Sequence, residues 1–348
     1  MSVNIGILGG GQLGRMLCEA ARELPVPVEV AVYDASTEAC AKEVAHTFHK
    51  GSFDDAEAIS RFASQVDIVT YEFENIPYHV VEPLENAIQG SGALGILQNR
   101  MREKRFIDSL PGVKSVPHRI VDDDFSFEYP YVVKTVDSGY DGKGQYLIQD
   151  AEDLVQVKKG MVAETYLPGI TEYSVIMARN QKGVTTNYPV LENVHVNHIL
   201  DTSCFATIDE GLAEMMFQKA KAIAEALDYI GVLTVEYFYS NKGELFVNEV
   251  APRVHNSGHI TMDAANASQF ELHLMSLLGL GYPSIVVDTS WCMVNVLGQH
   301  YHSVTVTHTP VPGIFYDYGK HSVRHNRKVG HINGRLADID MIKAVRER

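Results

Sequence analysis

Basic residues are scarce in this 348-residue chain, where 29 lysines and arginines stand against 44 aspartates and glutamates and give a formal charge of −15. A surface this acidic repels a phosphate backbone, which argues against nucleic acid as a partner. An anionic substrate must then be held where basic side chains are locally concentrated. Clusters of lysine and arginine are therefore candidate parts of a binding site.

Cysteines and long apolar runs are also few. The four cysteines, Cys18, Cys40, Cys204 and Cys292, are far apart in sequence and form no metal-type or redox-type motif. Free thiols in a chain of this size are typical of a reducing compartment. The N-terminal segment lacks the basic and apolar regions of a signal peptide, and no apolar run is long enough to cross a bilayer. We therefore expect a cytoplasmic protein with no membrane partner.

The length predicts two or three domains, and their pattern changes along the chain. Short apolar runs such as Val3–Leu8 and Val28–Tyr33 alternate with helical patterns such as Gln12–Leu24 in the first ninety or so residues. This alternation predicts a doubly wound parallel sheet. From about Ala93 a charged helix, Asn99–Ser109, is followed by short strands, so a second kind of domain begins there.

A glycine-rich turn, Gly9-Gly10-Gly11-Gln12-Leu13-Gly14, follows the first predicted strand and precedes the first helix. Asp34 ends the second strand, twenty residues beyond Gly14. This is the arrangement of a dinucleotide-binding fingerprint, which favours an NAD-dependent enzyme. A tight turn in a Rossmann-like domain that binds no dinucleotide explains the motif equally well.

A second glycine loop runs from Ser138 to Gln145, four residues after Lys134. Three glycines and a lysine between two strands suit a loop that closes over phosphates, because its amides can approach oxygen atoms closely. It is not a Walker loop, since no helix follows it and the G-K-[ST] ending is absent. An ordinary flexible hairpin is the alternative. Lys134, at the end of the preceding strand, favours the phosphate loop.

Two acidic residues, Glu236 and Glu249, lie on strands joined by a turn at residues 240–243. If Ser240 is opposite Gly243, Glu236 faces Val247 and Glu249 is a diagonal neighbour on the same face. Carboxylates this close can share a divalent cation, and we interpret them as a magnesium site. The alternative is that each carboxylate forms its own salt bridge.

Two further polar clusters follow. Arg253, His255, Asn256 and Ser257 come directly after the second of these strands, and arginine has the planar geometry that suits a phosphate. The late basic group, residues 320–328, contains Lys320, Arg324, Arg327 and Lys328. It is a candidate phosphate site in an acidic chain, although a solvated charged turn is an equally good explanation.

Taken in order, these motifs resemble the ATP-grasp superfamily and, within it, the family of 5-(carboxyamino)imidazole ribonucleotide synthetases. Six segments spread along the chain carry the resemblance: GILGGGQLGRML (6–17), VVKTVDSGYDGKGQ (132–145), VAETYLPGITEYSV (162–175), NEVAPRVHNSGH (248–259), SQFELHL (268–274) and NRKVGH (326–331). The segment that begins at Asn248 is rarely matched by other ATP-grasp ligases.

The resemblance implies a mixed α/β and α+β protein. It would have a Rossmann-like parallel sheet at residues 1–95, an ATP-grasp core of two subdomains at 96–288 with the glycine loop in the subdomain of about 115–167, and a small β-rich C-terminal domain at 289–348. It also implies a homodimer. The implied reaction is the ATP-dependent carboxylation of 5-aminoimidazole ribonucleotide by bicarbonate through carboxyphosphate, with Mg²⁺, in purine biosynthesis.

The resemblance also implies roles for individual residues. ATP would be bound by Arg100, Lys104, Lys134, Gly139, Tyr140, Asp141, Gly142, Lys143, Gly144, Gln145, Glu164, Thr165, Tyr166, Leu167, Glu172, His195, Asn248 and Glu249. Magnesium would be held by Glu236 and Glu249. The ribonucleotide would be bound by Glu72, Tyr140, Arg253, His255, Asn256, Ser257, Lys320 and Arg327. Arg253, His255 and Lys143 would take part in catalysis.

One residue departs from the family pattern. Lys143 stands where many relatives carry arginine, which keeps the charge but loses the bidentate fork that could hold bicarbonate or carboxyphosphate. The resemblance also makes the N-terminal turn part of a substrate-enclosing domain without nicotinamide. Another ATP-grasp ligase stays open as an alternative, and an NAD-dependent oxidoreductase is the alternative from a different class.

Overall fold

The computed structural model describes residues 2–137, 144–306 and 310–347. The N-terminal sheet has four parallel strands in the order β3-β2-β1-β4. Its strands are β1 (Val3–Leu8), β2 (Val28–Asp34), β3 (Thr47–Lys50) and β4 (Ile68–Tyr71), and its helices are α1 (Gln12–Ala20), α2 (Ala56–Ala63), α3 (Tyr78–Val81) and α4 (Ser91–Leu97). The predicted parallel sheet is confirmed. β3 was absent from the prediction, because its four residues alternate too briefly to give a pattern.

The chain turns sharply between β1 and α1. Gly9 has a φ of +104°, and a Cβ there would lie 2.4 Å from the side chain of Glu72. A residue with a side chain is therefore excluded both by the backbone conformation and by the lack of space. The turn places the first amides of α1 at the carboxyl edge of the sheet.

A small antiparallel sheet follows helix α5 (Arg100–Ser109), whose N-terminus is capped by the Asn99 side chain. Its order is β5-β8-β6-β7, formed by β5 (His118–Ile120), β6 (Tyr131–Lys134), β7 (Gln145–Ile148) and β8 (Val162–Thr165). Tyr131, Val133 and Ile148 are buried in its own small core. This sheet positions Lys134 and Glu164 on paired neighbouring strands.

A nine-stranded antiparallel sheet forms the centre of the molecule, in the order β14-β13-β9-β11-β12-β15-β17-β16 with β10 beside β9. Its strands are β9 (Thr171–Arg179), β10 (Thr185–Asn187), β11 (Leu191–Val196), β12 (Ile199–Phe205), β13 (Gly231–Tyr239), β14 (Leu245–Ala251), β15 (Trp291–Leu297), β16 (Ile314–Asp317) and β17 (Lys328–Arg335). The remaining helices are α6 (Glu210–Ala226), α7 (Thr261–Ala264), α8 (Gln269–Leu277), α9 (Tyr301–Thr305) and α10 (Ile339–Arg346).

The C-terminal segment is β-rich, as expected, and its strands continue the central sheet through the pairing of β12 with β15. Residues of β15, β17 and α10 share a core of their own that includes Val294, Ile332 and Ile342. The pairing also places Cys204 opposite Cys292, which their sequence separation could not indicate. The domain limits at residues 95 and 288 stay predictions.

In the described parts of the chain, every helix is too short or too polar to span a lipid bilayer.

The end of α10 is held by a buried charge. Arg346 is 3% exposed. Its guanidinium contacts Asp201 and donates a hydrogen bond to the carbonyl of Asn295 at 3.1 Å. Removing one partner of such a pair leaves the other charge with less compensation, and here only Lys343 Nζ, 3.3 Å from Asp201 Oδ2, would remain.

We predict that Arg346→Ala lowers the free energy of unfolding by about 3 kcal/mol, since Asp201 then loses its closest cation. Urea unfolding monitored by circular dichroism measures the change. Arg61→Ala is the matched control, because Arg61 pairs with Glu57 at 3.6 Å on the exposed face of α2. Its effect should stay below about 1 kcal/mol. Equal losses for the two variants would contradict the role of Arg346.

Candidate active site

All three parts of the structure meet at one cavity of about 1610 Å³. The N-terminal sheet contributes Glu72 after β4, and the small sheet contributes Lys134 at the end of β6. The central sheet contributes Glu236 on β13, and the segment before β17 contributes Lys320. The cavity is large enough for two nucleotide-sized ligands, given that drug-sized pockets occupy roughly 300–1,000 Å³.

A buried lysine–glutamate–lysine arrangement lies at the small-sheet side of the cavity. One carboxylate oxygen of Glu164 lies 2.7 Å from Lys134 Nζ, and the other lies 2.9 Å from Lys104 Nζ. Burial would raise the pKa of Glu164, but the two ammonium groups lower it to about 2. One carboxylate thus faces two cations, and a net positive charge remains beside the cavity. Such a charge suits a polyphosphate.

Glu172 and His195 form a second pair on the cavity wall, with 2.7 Å between Glu172 Oε2 and His195 Nδ1. Burial would lower the pKa of His195, yet the hydrogen bond to Glu172 outweighs it and raises that pKa. Thr165, at the end of β8, and Tyr166 and Leu167, which follow it, line the cavity beside them. These residues form the wall expected to contact a nucleotide.

The hairpin of β13 and β14 differs from the predicted register. Tyr237 pairs with Val247, but Glu236 pairs directly with Glu249, because a β-bulge leaves Asn248 as the extra residue. The prediction that Glu236 faces Val247 is therefore wrong. A regular hairpin with Ser240 opposite Gly243 was assumed, but Tyr239 pairs with Leu245, so the turn shifts the register by one residue and the bulge shifts it by a second. Its effect is to direct both Asn248 and Glu249 at the cavity, which both residues line.

The two facing carboxylates affect one another. Burial first, and the Glu249 carboxylate second, raise the pKa of Glu236 to about 8. Arg100 Nη1 lies 3.7 Å from Glu249, and His255 Nε2 lies 3.2 Å from Glu236. Glu103, also on the cavity wall, has its pKa raised to about 7 by burial and then by Glu249. A cluster of acids this dense is stabilised when a cation binds.

The Arg253 guanidinium is held by Glu74. Nη2 donates to Glu74 Oε1 at 3.0 Å, Nε donates to Glu74 Oε2, and Nη1 donates to the carbonyl of Val254 at 3.1 Å. Burial raises the pKa of Glu74. The neighbouring Arg253 lowers it, and the net change in this pKa is downward. The bidentate pair joins the N-terminal sheet to the loop after β14. Glu74 was missed from the sequence, where only the neighbouring Glu72 was considered.

Asn256 and Ser257 occupy different positions behind this loop. Asn256 lines the cavity and is 7% exposed, and neither its amide nitrogen nor its amide oxygen has a hydrogen-bond partner within the described ranges. Ser257 is fully buried, and its hydroxyl contacts His255 Nδ1 at 2.8 Å and the Ser174 hydroxyl at 3.0 Å. An unpartnered buried amide is costly unless a ligand satisfies it.

The N-terminal glycine turn is occupied by side chains of the protein itself. Glu72 accepts hydrogen bonds from the amides of Gly11 and Gly14, both at 2.8 Å, and Asp34 accepts one from Gly10 at 2.7 Å. Burial raises the pKa of Glu72 against the opposing effect of the two amides. A carboxylate thus fills the place that a pyrophosphate takes in a dinucleotide-binding turn.

The late basic group forms the remaining wall. Lys320 Nζ contacts Gln12 Oε1 and the carbonyl of Lys328, both at 2.5 Å, and Arg327 donates to the carbonyl of Ser322 at 2.8 Å. These acceptors are neutral, in contrast to the Glu74 carboxylate that faces Arg253. The positive charges of Lys320 and Arg327 are therefore available to an anion.

Most of the residues expected from the sequence line this cavity. They are Glu72, Arg100, Lys134, Gln145, Glu164, Thr165, Tyr166, Leu167, Glu172, His195, Glu236, Asn248, Glu249, Arg253, His255, Asn256, Lys320 and Arg327. Lys104 and Ser257 are buried behind its wall, and Gly144 is not part of it. Gly139, Tyr140, Asp141, Gly142 and Lys143 lie outside the described residues.

Family models match most of the chain. Residues 2–94 match the ribonucleotide synthetase preATP-grasp domain, residues 114–270 the ATP-grasp domain, and residues 292–344 the phosphoribosylaminoimidazole carboxylase C-terminal domain.

Known proteins with this domain order are similar over nearly the whole length. The N5-carboxyaminoimidazole ribonucleotide synthase of Bacillus subtilis (strain 168) is 36% identical, over 94% of this chain and 90% of its own. The crystal structure of the N5-carboxyaminoimidazole synthetase from Staphylococcus aureus with ADP superposes with a TM-score of 0.89 at 31% identity, covering 100% and 98% of the two chains.

A second similar structure contains two ligands. The Aspergillus clavatus N5-carboxyaminoimidazole synthase, in complex with ADP and 5-aminoimidazole ribonucleotide, has a TM-score of 0.87 at 25% identity and covers 100% and 99% of the two chains. With the domain order and the near-complete coverage at 36% identity, the conclusion is that the chain belongs to the N5-carboxyaminoimidazole ribonucleotide synthase family of ATP-grasp ligases.

Proposed function

We propose that this protein joins bicarbonate to the exocyclic amine of 5-aminoimidazole ribonucleotide at the expense of ATP, giving N5-carboxyaminoimidazole ribonucleotide, ADP and phosphate, in purine biosynthesis. The observation that carries the proposal is a single cavity with two differently built walls. One wall has Lys134, Glu164 and the Glu236–Glu249 pair, and the other has the unpartnered Asn256 amide and the available charge of Lys320.

ATP would bind along the small-sheet wall. Lys134 and Arg100 would contact its phosphates, and Lys104 would support them through Glu164, to which it is bound. Glu172 would contact the ribose hydroxyls, with its carboxylate oriented by His195. Phosphoryl transfer depends mainly on such positioning and on neutralising charge, which agrees with a wall built of cations and fixed acceptors.

The residues present fit a magnesium ion. Glu236 and Glu249 face each other, and the buried Oδ1 of Asn248 has no hydrogen-bond partner in the part of the chain that is described. No group of three or more His, Cys, Asp or Glu side chains with metal-binding geometry occurs among the described residues. Two carboxylates completed by water and substrate phosphates are a usual arrangement for Mg²⁺. The ion would neutralise charge that develops on the β- and γ-phosphates.

The chemistry requires bicarbonate to be activated. An oxygen of bicarbonate attacks the γ-phosphorus, the bond to ADP breaks, and carboxyphosphate forms. The amine nitrogen then attacks the carboxyl carbon, directly or after release as carbon dioxide, phosphate leaves, and the amine loses a proton. Arg253, His255 and Lys143 would surround this step, with Arg253 held in place by Glu74.

The ribonucleotide would bind along the opposite wall. The Asn256 amide offers a donor and an acceptor to the aminoimidazole, and Lys320 and Arg327 offer positive charge to the 5′-phosphate. Arg253 has its charge neutralised by Glu74, so we assign it to orientation near the reacting atoms. The occupation of the glycine turn by Glu72 argues against an NAD-dependent oxidoreductase. The homodimer and the cytoplasmic location stay predictions.

The proposal is tested by phosphate release from ATP in bicarbonate buffer, with and without 5-aminoimidazole ribonucleotide. We expect the ribonucleotide to stimulate release and to be consumed in equal amount. Glycinamide ribonucleotide serves as the control for another ATP-grasp ligase. If it stimulates release and 5-aminoimidazole ribonucleotide does not, the proposed substrate is wrong.

Glu249→Gln should reduce stimulated phosphate release at least about a hundredfold, because the amide removes a ligand charge from the metal site. Glu244→Gln, in the exposed turn of the same hairpin, is the matched control and should keep wild-type activity. The apparent Mg²⁺ requirement, measured by titration at fixed ATP, should rise for the first variant alone. Unchanged Mg²⁺ dependence in Glu249→Gln would rule out the assigned ligand.

The KM for the ribonucleotide should rise with pH. Burial lowers the pKa of Lys320 to about 8, with Arg327 and Lys328 lowering it and Cys40 and Glu72 raising it. The protonated amine holds the phosphate, so affinity is full below pH 8 and declines as the pH rises through it. The KM for ATP should show no such change.

Lys320→Arg is the control for this pH dependence, because a guanidinium keeps its charge throughout the range. Its KM for the ribonucleotide should stay level between about pH 7 and 9.5. If the rise persists in this variant, Lys320 is not the titrating group.

A further inference from the structure

A line of buried polar side chains crosses the central sheet and ends at His255. Ser203 on β12 is paired directly with Asn193 on β11, and Ser174 on β9 is a diagonal neighbour of Asn193. Ser174 and Ser203 are fully buried, and Asn193 is 5% exposed. Ser257 connects Ser174 to the loop that carries His255. None of the three strand residues lines the cavity.

These groups lie in an apolar environment. Ile176 and Leu191 on the same strands, and Val254 and Ile260 in the loop, belong to the main hydrophobic core. Polar groups buried in such a core cost free energy unless every one is hydrogen-bonded. Because Ser174, Asn193 and Ser203 are connected by hydrogen bonds and do not line the cavity, they call for a role other than direct ligand binding.

The hydrogen bonds have one consistent direction. The Ser203 hydroxyl donates to Asn193 Oδ1 at 2.6 Å, and Asn193 Nδ2 donates to the Ser174 hydroxyl at 2.9 Å. In the described structure the Ser174 hydroxyl has two side-chain neighbours, Asn193 Nδ2, which donates to it, and the Ser257 hydroxyl, 3.0 Å away, so its own proton is directed at Ser257. The Ser257 proton is in turn directed at His255 Nδ1, at 2.8 Å.

Two neighbouring contacts favour the same proton position on His255. The backbone amide of Ser257 also points at Nδ1, at 3.3 Å, and an amide can only donate. On the other side of the ring, Nε2 lies 3.2 Å from Glu236 Oε1, which accepts a hydrogen bond when the carboxylate is ionised. The imidazole therefore carries its proton on Nε2 and gives it to Glu236.

We propose that Ser174, Asn193 and Ser203 are positioning residues that fix the Nε2–H tautomer of His255 and thereby the orientation of the Glu236 carboxylate. The inference rests on the proposed function for the role of Glu236 at the metal, but the tautomer itself does not depend on it. A histidine that donates to a metal-ligating carboxylate sets the direction of that ligand. The direction of this line of hydrogen bonds is set by the side-chain amide of Asn193, whose oxygen accepts and whose nitrogen donates.

The first test measures the tautomer in the enzyme without substrates. In protein labelled with ¹⁵N at histidine, with the His255 signal assigned by its loss in His255→Gln, we expect a protonated Nε2 and an unprotonated Nδ1. Ser174→Ala should give a mixture of the two tautomers, and Ser174→Thr, which keeps the hydroxyl, should restore one. Nδ1–H in the wild type, or a single Nε2–H tautomer in Ser174→Ala, would overturn the proposal.

The second test uses binding and turnover. Ser174→Ala should weaken Mn²⁺ binding in the presence of ADP, followed by electron paramagnetic resonance, by about tenfold and lower kcat by about 10- to 100-fold. The KM for the ribonucleotide should stay within about twofold of the wild type, and Ser174→Thr should recover both losses. Asn193→Asp, which removes the donor at the centre of the chain, is the second variant. Wild-type Mn²⁺ affinity in both would refute the connection to Glu236.

Thr234→Val is the matched control. Thr234 is fully buried on β13, two residues before Glu236, and its hydroxyl has no partner in the described structure. This variant removes a buried hydroxyl from the same sheet without interrupting the chain, so it should keep the tautomer, the Mn²⁺ affinity and kcat. An equal loss in Thr234→Val would mean that removing any buried hydroxyl from the sheet has the same effect. Failure of the ribonucleotide to stimulate ATP turnover, with the expected tautomer present, would refute the proposed function alone.

Discussion

The arrangement of the active site depends on two carboxylates that face one another across a β-hairpin. Glu236 and Glu249 occupy paired positions on β13 and β14, where two like charges side by side are unfavourable. The nearby polar groups are placed accordingly, with Arg100 next to Glu249 and the His255 N–H next to Glu236. The site is thus built to gain free energy when a cation arrives. In the proposed function, nucleotide, metal and loop would be linked through this one requirement.

The same logic explains why the N-terminal turn keeps a dinucleotide fingerprint without an open dinucleotide site. The exposed amides at the start of α1 attract an anion whatever its source. Here Glu72 supplies it from the end of β4, and Asp34 completes the turn at Gly10. The fingerprint therefore fixes the backbone shape, while the group bound by the amides is decided by a residue about sixty positions away. A local motif cannot contain that information.

What the sequence could predict follows from the range of the interactions involved. The parallel sheet and the strand Val3–Leu8 were predicted because hydrophobic periodicity is a local property. The direct pairing of Glu236 with Glu249 was not, because the bulge at Asn248 changes the register without changing the pattern. Glu74 and Glu103 were missed for a third reason. A glutamate on a helix or in a loop looks solvated until the fold buries it.

The distribution of positive charge separates two tasks that the sequence placed together. Arg253 and Lys320 both looked like phosphate ligands. Arg253, however, donates from Nε and Nη2 to the Glu74 carboxylate, whereas Lys320 contacts an amide oxygen and a carbonyl. A cation already neutralised gains little from a second anion, whereas one held by neutral oxygens retains its charge for it. Both side chains are held in place before a ligand binds, so neither loses much conformational freedom when it does. An acidic chain can therefore offer positive charge to an anionic ligand with few basic residues, provided that some of them contact neutral oxygens rather than carboxylates, as Lys320 does.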